Sequence, residues 1–468
     1  MSKFTLAVIL GNRDFFPDVL VSEARKDLLA ATDALGISTV LLPESAGKYG
    51  SVETWKDAQA CADLFRQHRG AIDGILVCLP NFGDERAIAD TIRLAALNVP
   101  ILVQACPDDL DMFGLERRRD AFCGKISACN NLRQYGLPFS LTVEHVLSLR
   151  SAGFRDELQR FQQTCRTVGG LRQARIGAVG ARPNAFNTTR YSEKILESAG
   201  ISVSTLDLSD VFAMISDLPD NDARVKARIG QIQDYAESSA APAESLVRMA
   251  KFAVVVSRWM DDLGLQASAI QCWTSMQKNL GINVCTVMSM MSESMMPSAC
   301  EVDVAGVVSM YGLQLASGRP SALVDWNNNY GSEKDKCVLF HCGNWAKEFL
   351  KEPSIGTAPI LGTVVGEENT YGALSGRTSA GPLTYGRVTT DDVSGTIRAY
   401  VGEGLFTSDP LTSFGTNAVA EVPRLRELMR YICRNGFEHH AAMNASHCAG
   451  VFAEAVETYL GWPVYLHA

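Results

Sequence analysis

The chain reads as an α/β protein with two parallel-sheet domains followed by a β-rich, barrel-like C-terminal domain. Three observations predict this. Strand-like apolar runs alternate with helix-period segments from the start, the alternation resumes after residue 170, and beyond residue 320 it gives way to short runs separated by turn residues. These shifts put domains at 1–170, 171–319 and 320–468, and 468 residues are enough for three separate cores.

In order, residues 4–10 read as a strand, 19–35 as a helix stopped by Gly36, and 37–42 as a second strand. Helix 53–68, strand 74–79, helix 85–97 and strand 100–105 extend the pattern into an open parallel sheet of the Rossmann or flavodoxin kind. Its ligand edge is where the strands end, at Gly11-Asn12-Arg13, Pro43-Glu44, Pro80-Asn81 and Cys106-Pro107. Helix 154–168, strand 174–179, helix 190–199 and strand 201–206 open the second domain. Loop 180–188 lacks the third glycine of a dinucleotide fingerprint and reads as a strand-end loop. Helices 223–236 and 243–263 follow, the latter with Leu246, Met249, Ala250, Ala253 and Val256 on one face, and then strand 267–273. The methionine-rich run 287–296 reads as core filling.

Residues 304–316 form a helix on the spacing of Val304, Val307, Val308, Tyr311 and Leu315; Asp303 can cap its start, and Gly318 with Pro320 ends it. Strand 321–326 follows. Glu301 precedes the helix, and Asp325 ends the apolar run Ala322-Leu323-Val324. Acids held close together repel unless one is protonated or a cation lies between them. Spacing alone also leaves open a helix cap and an ordinary strand-end carboxylate. Runs 337–341, 358–365, 371–378, 381–389 and 395–401 read as strands, followed by helix 422–435, a strand with a histidine pair, helix 450–460 and strand 463–466.

Net charge −9, with Arg117-Arg118-Arg119 as the one basic cluster, argues against a nucleic-acid partner. No apolar run approaches a membrane span, and no signal-peptide pattern is visible, so neither membrane association nor export is expected. Thirteen cysteines without a Cys-x-x-Cys pair suit a reducing compartment, so the expected location is cytoplasmic. Three of the seven histidines, His439, His440 and His447, fall within residues 436–447. Cys337, His341 and Cys342 leave a zinc site open, although no second cysteine pair accompanies them.

Cys300-Glu301-Val302-Asp303, the helix through Gly306, Gln314 and Gly318, and Val324-Asp325-Trp326 resemble the corresponding stretch of the L-fucose isomerase and L-arabinose isomerase superfamily. The 24 residues from Glu301 to Asp325 are similar to the fucose branch, whereas His341 and His439-His440 are similar to the arabinose branch. Leu10-Gly11-Asn12-Arg13 resembles the fucose-branch segment after the first strand. The chain is identified as a divergent member.

The resemblance implies a metal-dependent aldose–ketose isomerase working through an enediol, with Glu301 and Asp325 catalytic and Glu301, Asp325 and His440 holding the cation. Manganese is the first choice, with magnesium or another divalent ion as substitute; the fourth ligand is open, and His341 is the arabinose-branch candidate. Arg13, Trp326, Asn327, His341, His439 and His447 are the substrate contacts it implies. The expected partner is a free sugar, and the expected assembly is a homo-oligomer, a hexamer, with Arg13 reaching a neighbouring subunit's site. Pentoses, deoxy sugars and anionic or sulfonated hexoses remain open, with Arg13, Arg182, Arg377 and Arg387 as candidate anion readers. Two lobes around a cleft would also suit a non-catalytic sugar-binding sensor. The same acids would suit a metal-dependent epimerase or lyase.

Overall fold

Alternating apolar runs build the first sheet from β1 (Thr5–Leu10), β2 (Ser38–Val40), β3 (Gly74–Leu79), β4 (Ile101–Ala105) and β5 (Ser140–Leu141) in the computed structural model, which describes residues 3–468. All pairings are parallel and the order is β2-β1-β3-β4-β5, the flavodoxin-like arrangement. β1, β3 and β4 are buried throughout because helices cover both faces. Ala7, Ile9 and Val77 pack with Ala58, Phe65 and Ile88, while Leu6, Val8 and Leu10 pack with Leu28, Phe154 and Phe161. Helix Trp55–Gln67 opens with a reciprocal Thr54–Asp57 capping box. The sheet belongs to a compact unit that runs to Gly169 and includes Glu454–Gly461; Gly170–Ala453 with Trp462–Ala468 form the other unit.

Lys125, on helix Ala121–Gln134, is buried and donates to Thr142 Oγ1 (2.8 Å) and to the His145 carbonyl (2.9 Å). Burial pushes its pKa down to about 8. The unfolded chain, with a lysine near about 10.4, then binds more protons than the folded one between these values. Stability is therefore expected to rise as pH increases from about 8 to about 10. Urea unfolding across that window checks this: the rise should be absent in Lys125→Met, and an equal rise in both proteins would reject it.

In the second unit β6 (Arg175–Val179), β7 (Ser202–Leu206), β8 (Ala267–Ile270) and β9 (Ser298–Ala299) make a parallel sheet in the order β7-β6-β8-β9. Helix Ala243–Leu263 buries the apolar face that its spacing predicts. The methionine run lies largely on helix Cys285–Glu293, with Met288 and Met291 in the core.

Nine further strands form a mixed sheet: β10 (Ser321–Asn329), β11 (Lys336–His341), β12 (Leu350–Gly356), β13 (Ala373–Thr378), β14 (Gly381–Asp391), β15 (Thr396–Thr407), β16 (Thr416–Glu421), β17 (His440–Asn444) and β18 (Val464–His467). The order is β12-β13-β16-β11-β10-β17-β14-β15-β18, and β15 also pairs with β16, so part of the sheet closes into a ring. Ala322, Val324, Leu339, Tyr385, Tyr400, Phe406, Ala418 and Met443 from the ring strands share one core cluster, the period-two result of strands with one face inward. The expected strand over 358–365 is instead helix Pro359–Val365, since Pro359 at its first turn pre-sets a helical φ. Among the described residues no helix is long and apolar enough to cross a membrane.

Candidate active site

The carboxyl ends of parallel strands and the edge of the ring meet at one cavity of about 640 Å³. Phe186 enters it from the loop after β6, Trp273 from beyond β8 and Glu301 from beyond β9, while the ring brings Asp325 on β10, His341 on β11 and His440 on β17. Antiparallel register sets Asp325 opposite His440. Asp325 stands where β10 emerges: Ser321–Val324 are buried and Asn327–Asn329 exposed.

Glu301 and Val302 both adopt left-handed backbone, with φ of 56° and 54°. For a β-branched valine this is strained, at about 1–3 kcal/mol, a cost that persists only where the surroundings enforce the conformation. The turn holds a carboxylate that is only 4% exposed. Its Oε1 accepts from Trp273 Nε1 at 3.0 Å. Its Oε2 has no hydrogen-bond partner, and lies 3.6 Å from His341 Nε2 and 3.5 Å from His440 Nε2. His440 Nε2 is also 3.4 Å from Asp325 Oδ1. A cation bound at about 2.1 Å sets its ligand atoms about 3.0–3.4 Å apart, close to these separations. Burial pushes the Glu301 carboxyl up, but the His341 and His440 rings outweigh it and hold the group below its ordinary value.

His440 is fixed from behind. Its Nδ1 lies 2.8 Å from Asp303 Oδ2 and donates its hydrogen there, which turns Nε2 toward Glu301 and Asp325. Asp303 also accepts both Arg387 Nη atoms (2.6 and 2.9 Å) and caps helix Val304–Ser317 through the Gly306 amide (2.8 Å). Glu438 takes Arg387 Nε at 3.1 Å and the Thr389 hydroxyl at 2.6 Å. His341 is set the other way round. Its Nδ1 accepts the Cys342 amide at 2.9 Å, which leaves Nε2 as the donor turned toward Glu301.

His439 Nε2 is 3.4 Å from Asp325 Oδ1, and its ring meets Phe186 edge-on at 5.6 Å. Burial and the adjacent His440 hold its pKa below the ordinary imidazole value. Trp326 and Asn327 line the cavity, and Trp326 Nε1 donates to the Tyr400 hydroxyl at 3.0 Å. His447 does not reach the cavity: it follows Asn444, which pairs with Ser321 at the opposite end of β10 from Asp325. Arg387 is fully buried between Asp303 and Glu438, so it has no guanidinium face free for a substrate anion. Arg182 donates to the Pro183 carbonyl. Arg13 belongs to the first unit, where its guanidinium pairs with Glu85, donates to the Gly83 carbonyl at 2.9 Å and sits 4.1 Å over the Phe82 ring. Sequence reasoning assigned no site role to Asp303, Trp273 or Phe186. The signal for Asp303 was its place two residues after Glu301.

Two family models match the chain: fucose/sulfoquinovose isomerase, N-terminal domain, over residues 7–172, and L-fucose isomerase, C-terminal domain, over residues 339–467. The C-terminal match spans His341, His439 and His440. A sulfoquinovose isomerase from Priestia aryabhattai is 25% identical over 445 residues, 94% of this chain and 93% of that one. A sulfoquinovose isomerase from Alkalicoccus urumqiensis is 26% identical over 298 residues, 62% of this chain and 65% of that one. Two domains of one family in chain order, together with relatives aligned nearly end to end, lead to one conclusion: the chain belongs to the fucose isomerase-like superfamily, as a divergent member.

Proposed function

We propose that this sugar isomerase interconverts an aldose and its ketose through an enediol with the help of a divalent cation, and that its substrate is a sulfonated aldohexose such as sulfoquinovose. The family supports aldose–ketose isomerisation, and the names of the relatives, sulfoquinovose isomerases, support the proposed substrate class. The observation that supports the cation is the buried Oε2 of Glu301, which has no hydrogen-bond partner and lies 3.5 Å from His440 Nε2. A buried anionic oxygen without a partner is costly, and a cation removes the cost.

Glu301, Asp325 and His440 would hold the ion, and two carboxylates with one imidazole favour manganese or magnesium over softer metals. When bound, such an ion supplies a Lewis acid that stabilises negative charge developing on the sugar oxygens. One of the two carboxylates, Glu301 or Asp325, takes the proton from carbon 2 and returns it to carbon 1, and the other moves the hydroxyl proton. In this reading His341 Nε2–H and His439 would hydrogen-bond sugar hydroxyls, which their place in the cavity lining beside the apolar Phe186, Trp273 and Trp326 supports. Arg13 is the proposed reader of the sulfonate, supplied by a neighbouring subunit of a homo-oligomer.

A panel of neutral and sulfonated aldoses, incubated with manganese or with chelator and read by chromatography, tests the reading. The expected result is a ketose from sulfoquinovose, with the rate falling at least about a hundredfold in chelator. Equal rates in chelator would reject the cation. Turnover of neutral aldoses alone would reject the sulfonated substrate.

A further inference from the structure

Four thiols converge behind Glu301, each from a different part of the second unit. Cys272 follows β8, Cys285 opens helix Cys285–Glu293, Cys300 follows β9 and Cys342 follows β11. The sulfurs of Cys285, Cys300 and Cys342 all lie within 4.8 Å of one another, with Cys285 and Cys342 3.8 Å apart. Cys272 adjoins them: its sulfur is within 4.8 Å of the Cys300 sulfur and 3.8 Å from Glu301 Oε1. Cys272, Cys285 and Cys300 are fully buried, and Cys342 half-buried.

Among the described residues no other three thiols lie within such reach of one another: Cys337 is the one cysteine of its apolar cluster, and Cys78, Cys106 and Cys165 share another as small hydrophobes. A disulfide needs two sulfurs, and core packing needs none in register. A mutual triangle of three thiols fits three corners of a coordination polyhedron. Zinc–thiolate bonds of about 2.3 Å in a tetrahedron put sulfurs about 3.8 Å apart.

We infer that Cys285, Cys300 and Cys342, with Cys272 as the adjoining fourth thiol, form a site for a thiophilic divalent cation of the zinc class. The site is distinct from the oxygen- and imidazole-lined one, because thiolates select soft metals and carboxylates hard ones. Cys300 directly precedes Glu301 and Cys342 directly follows His341, so a cation here would clamp both flanks of the catalytic cavity, including the left-handed turn at Glu301. Each ligating thiol gives up its proton to solvent on binding. Because the four residues come from separate elements, no Cys-x-x-Cys pair announces the site in the sequence.

Cobalt(II) titration of the reduced, metal-stripped full-length chain tests this by absorption. A thiolate-to-cobalt charge-transfer band is expected to saturate at about one ion per chain, as for a structural thiolate site. Zinc should bleach it and manganese should leave it. The band should persist in Glu301→Gln and be lost in Cys285→Ser and Cys342→Ser that retain the wild-type circular dichroism. Absence of the band in the folded wild type overturns the proposal without any variant, and so does a band that survives both serine substitutions.

Discussion

Glu301→Gln and Asp325→Asn are each expected to lower turnover at least about a hundredfold in protein that remains folded, the scale of losing a general acid–base group. The substitutions are close to isosteric, so shape is kept and charge is removed. The amide oxygen introduced by Glu301→Gln can still accept from Trp273 Nε1, as Glu301 Oε1 does now at 3.0 Å. What the variant loses is the unpaired anionic Oε2 between His341 and His440. Asp325 is one quarter exposed at the cavity, so its amide would cost little stability and the effect should fall on rate. Because His341 and His440 hold the Glu301 carboxyl below its ordinary value, the group stays ionised through neutral pH, and wild-type activity should persist until pH falls into the acid range. Rates of ketose formation for the two variants, beside their circular dichroism, decide the matter. More than about a tenth of wild-type rate in both would remove the acids from catalysis.

The parts of this site that were legible in the sequence were local ones. Strand and helix periods differ, so the first sheet and helix Val304–Ser317 could be read from spacing, and Asp303 could be named as its cap. Partners far apart in sequence could not. Asp325 meets His440 through a strand register, and His447 is carried off by the same register to the other end of β10. Arg387 had the look of an anion reader because its charge is visible in the sequence and its two buried carboxylate partners are not. Helix Pro359–Val365 was missed for the opposite reason. Its β-branched residues suggest a strand, and only Pro359 at its start argues otherwise. Cys342 could be read as a zinc ligand, but beside Cys337 and His341; its grouping with Cys285 and Cys300 needs separate chain segments to arrive together.

Asp303→Asn is expected to destabilise the second unit by about 3–5 kcal/mol, the cost of breaking a buried ion pair by removing one partner. Asp303 and Arg387 are both without solvent contact, and Glu438 alone would face a guanidinium that two carboxylates now share. Burial pushes the Asp303 carboxyl up, but Arg387 and His440 outweigh it and hold the group well below the usual carboxylate range. A depressed folded pKa gives stability that is fully present above the unfolded value of about 3.9 and is lost as pH falls through the folded one. The acid limb of the wild-type stability profile should therefore be steeper than that of the variant. Packing leaves no slack for rearrangement, since a Cβ at Gly306 would collide with the Asp303 carboxylate. Asp303 is also a positioning residue for His440. Asparagine can accept the Nδ1 hydrogen only through a neutral oxygen, so the ring becomes a weaker donor of its Nε2 lone pair. Urea unfolding at neutral and acid pH measures the first effect, and manganese affinity of the folded variant measures the second. Unchanged unfolding at neutral pH would show that Glu438 alone suffices for Arg387. Lost stability with unchanged manganese affinity would confine Asp303 to holding the fold together.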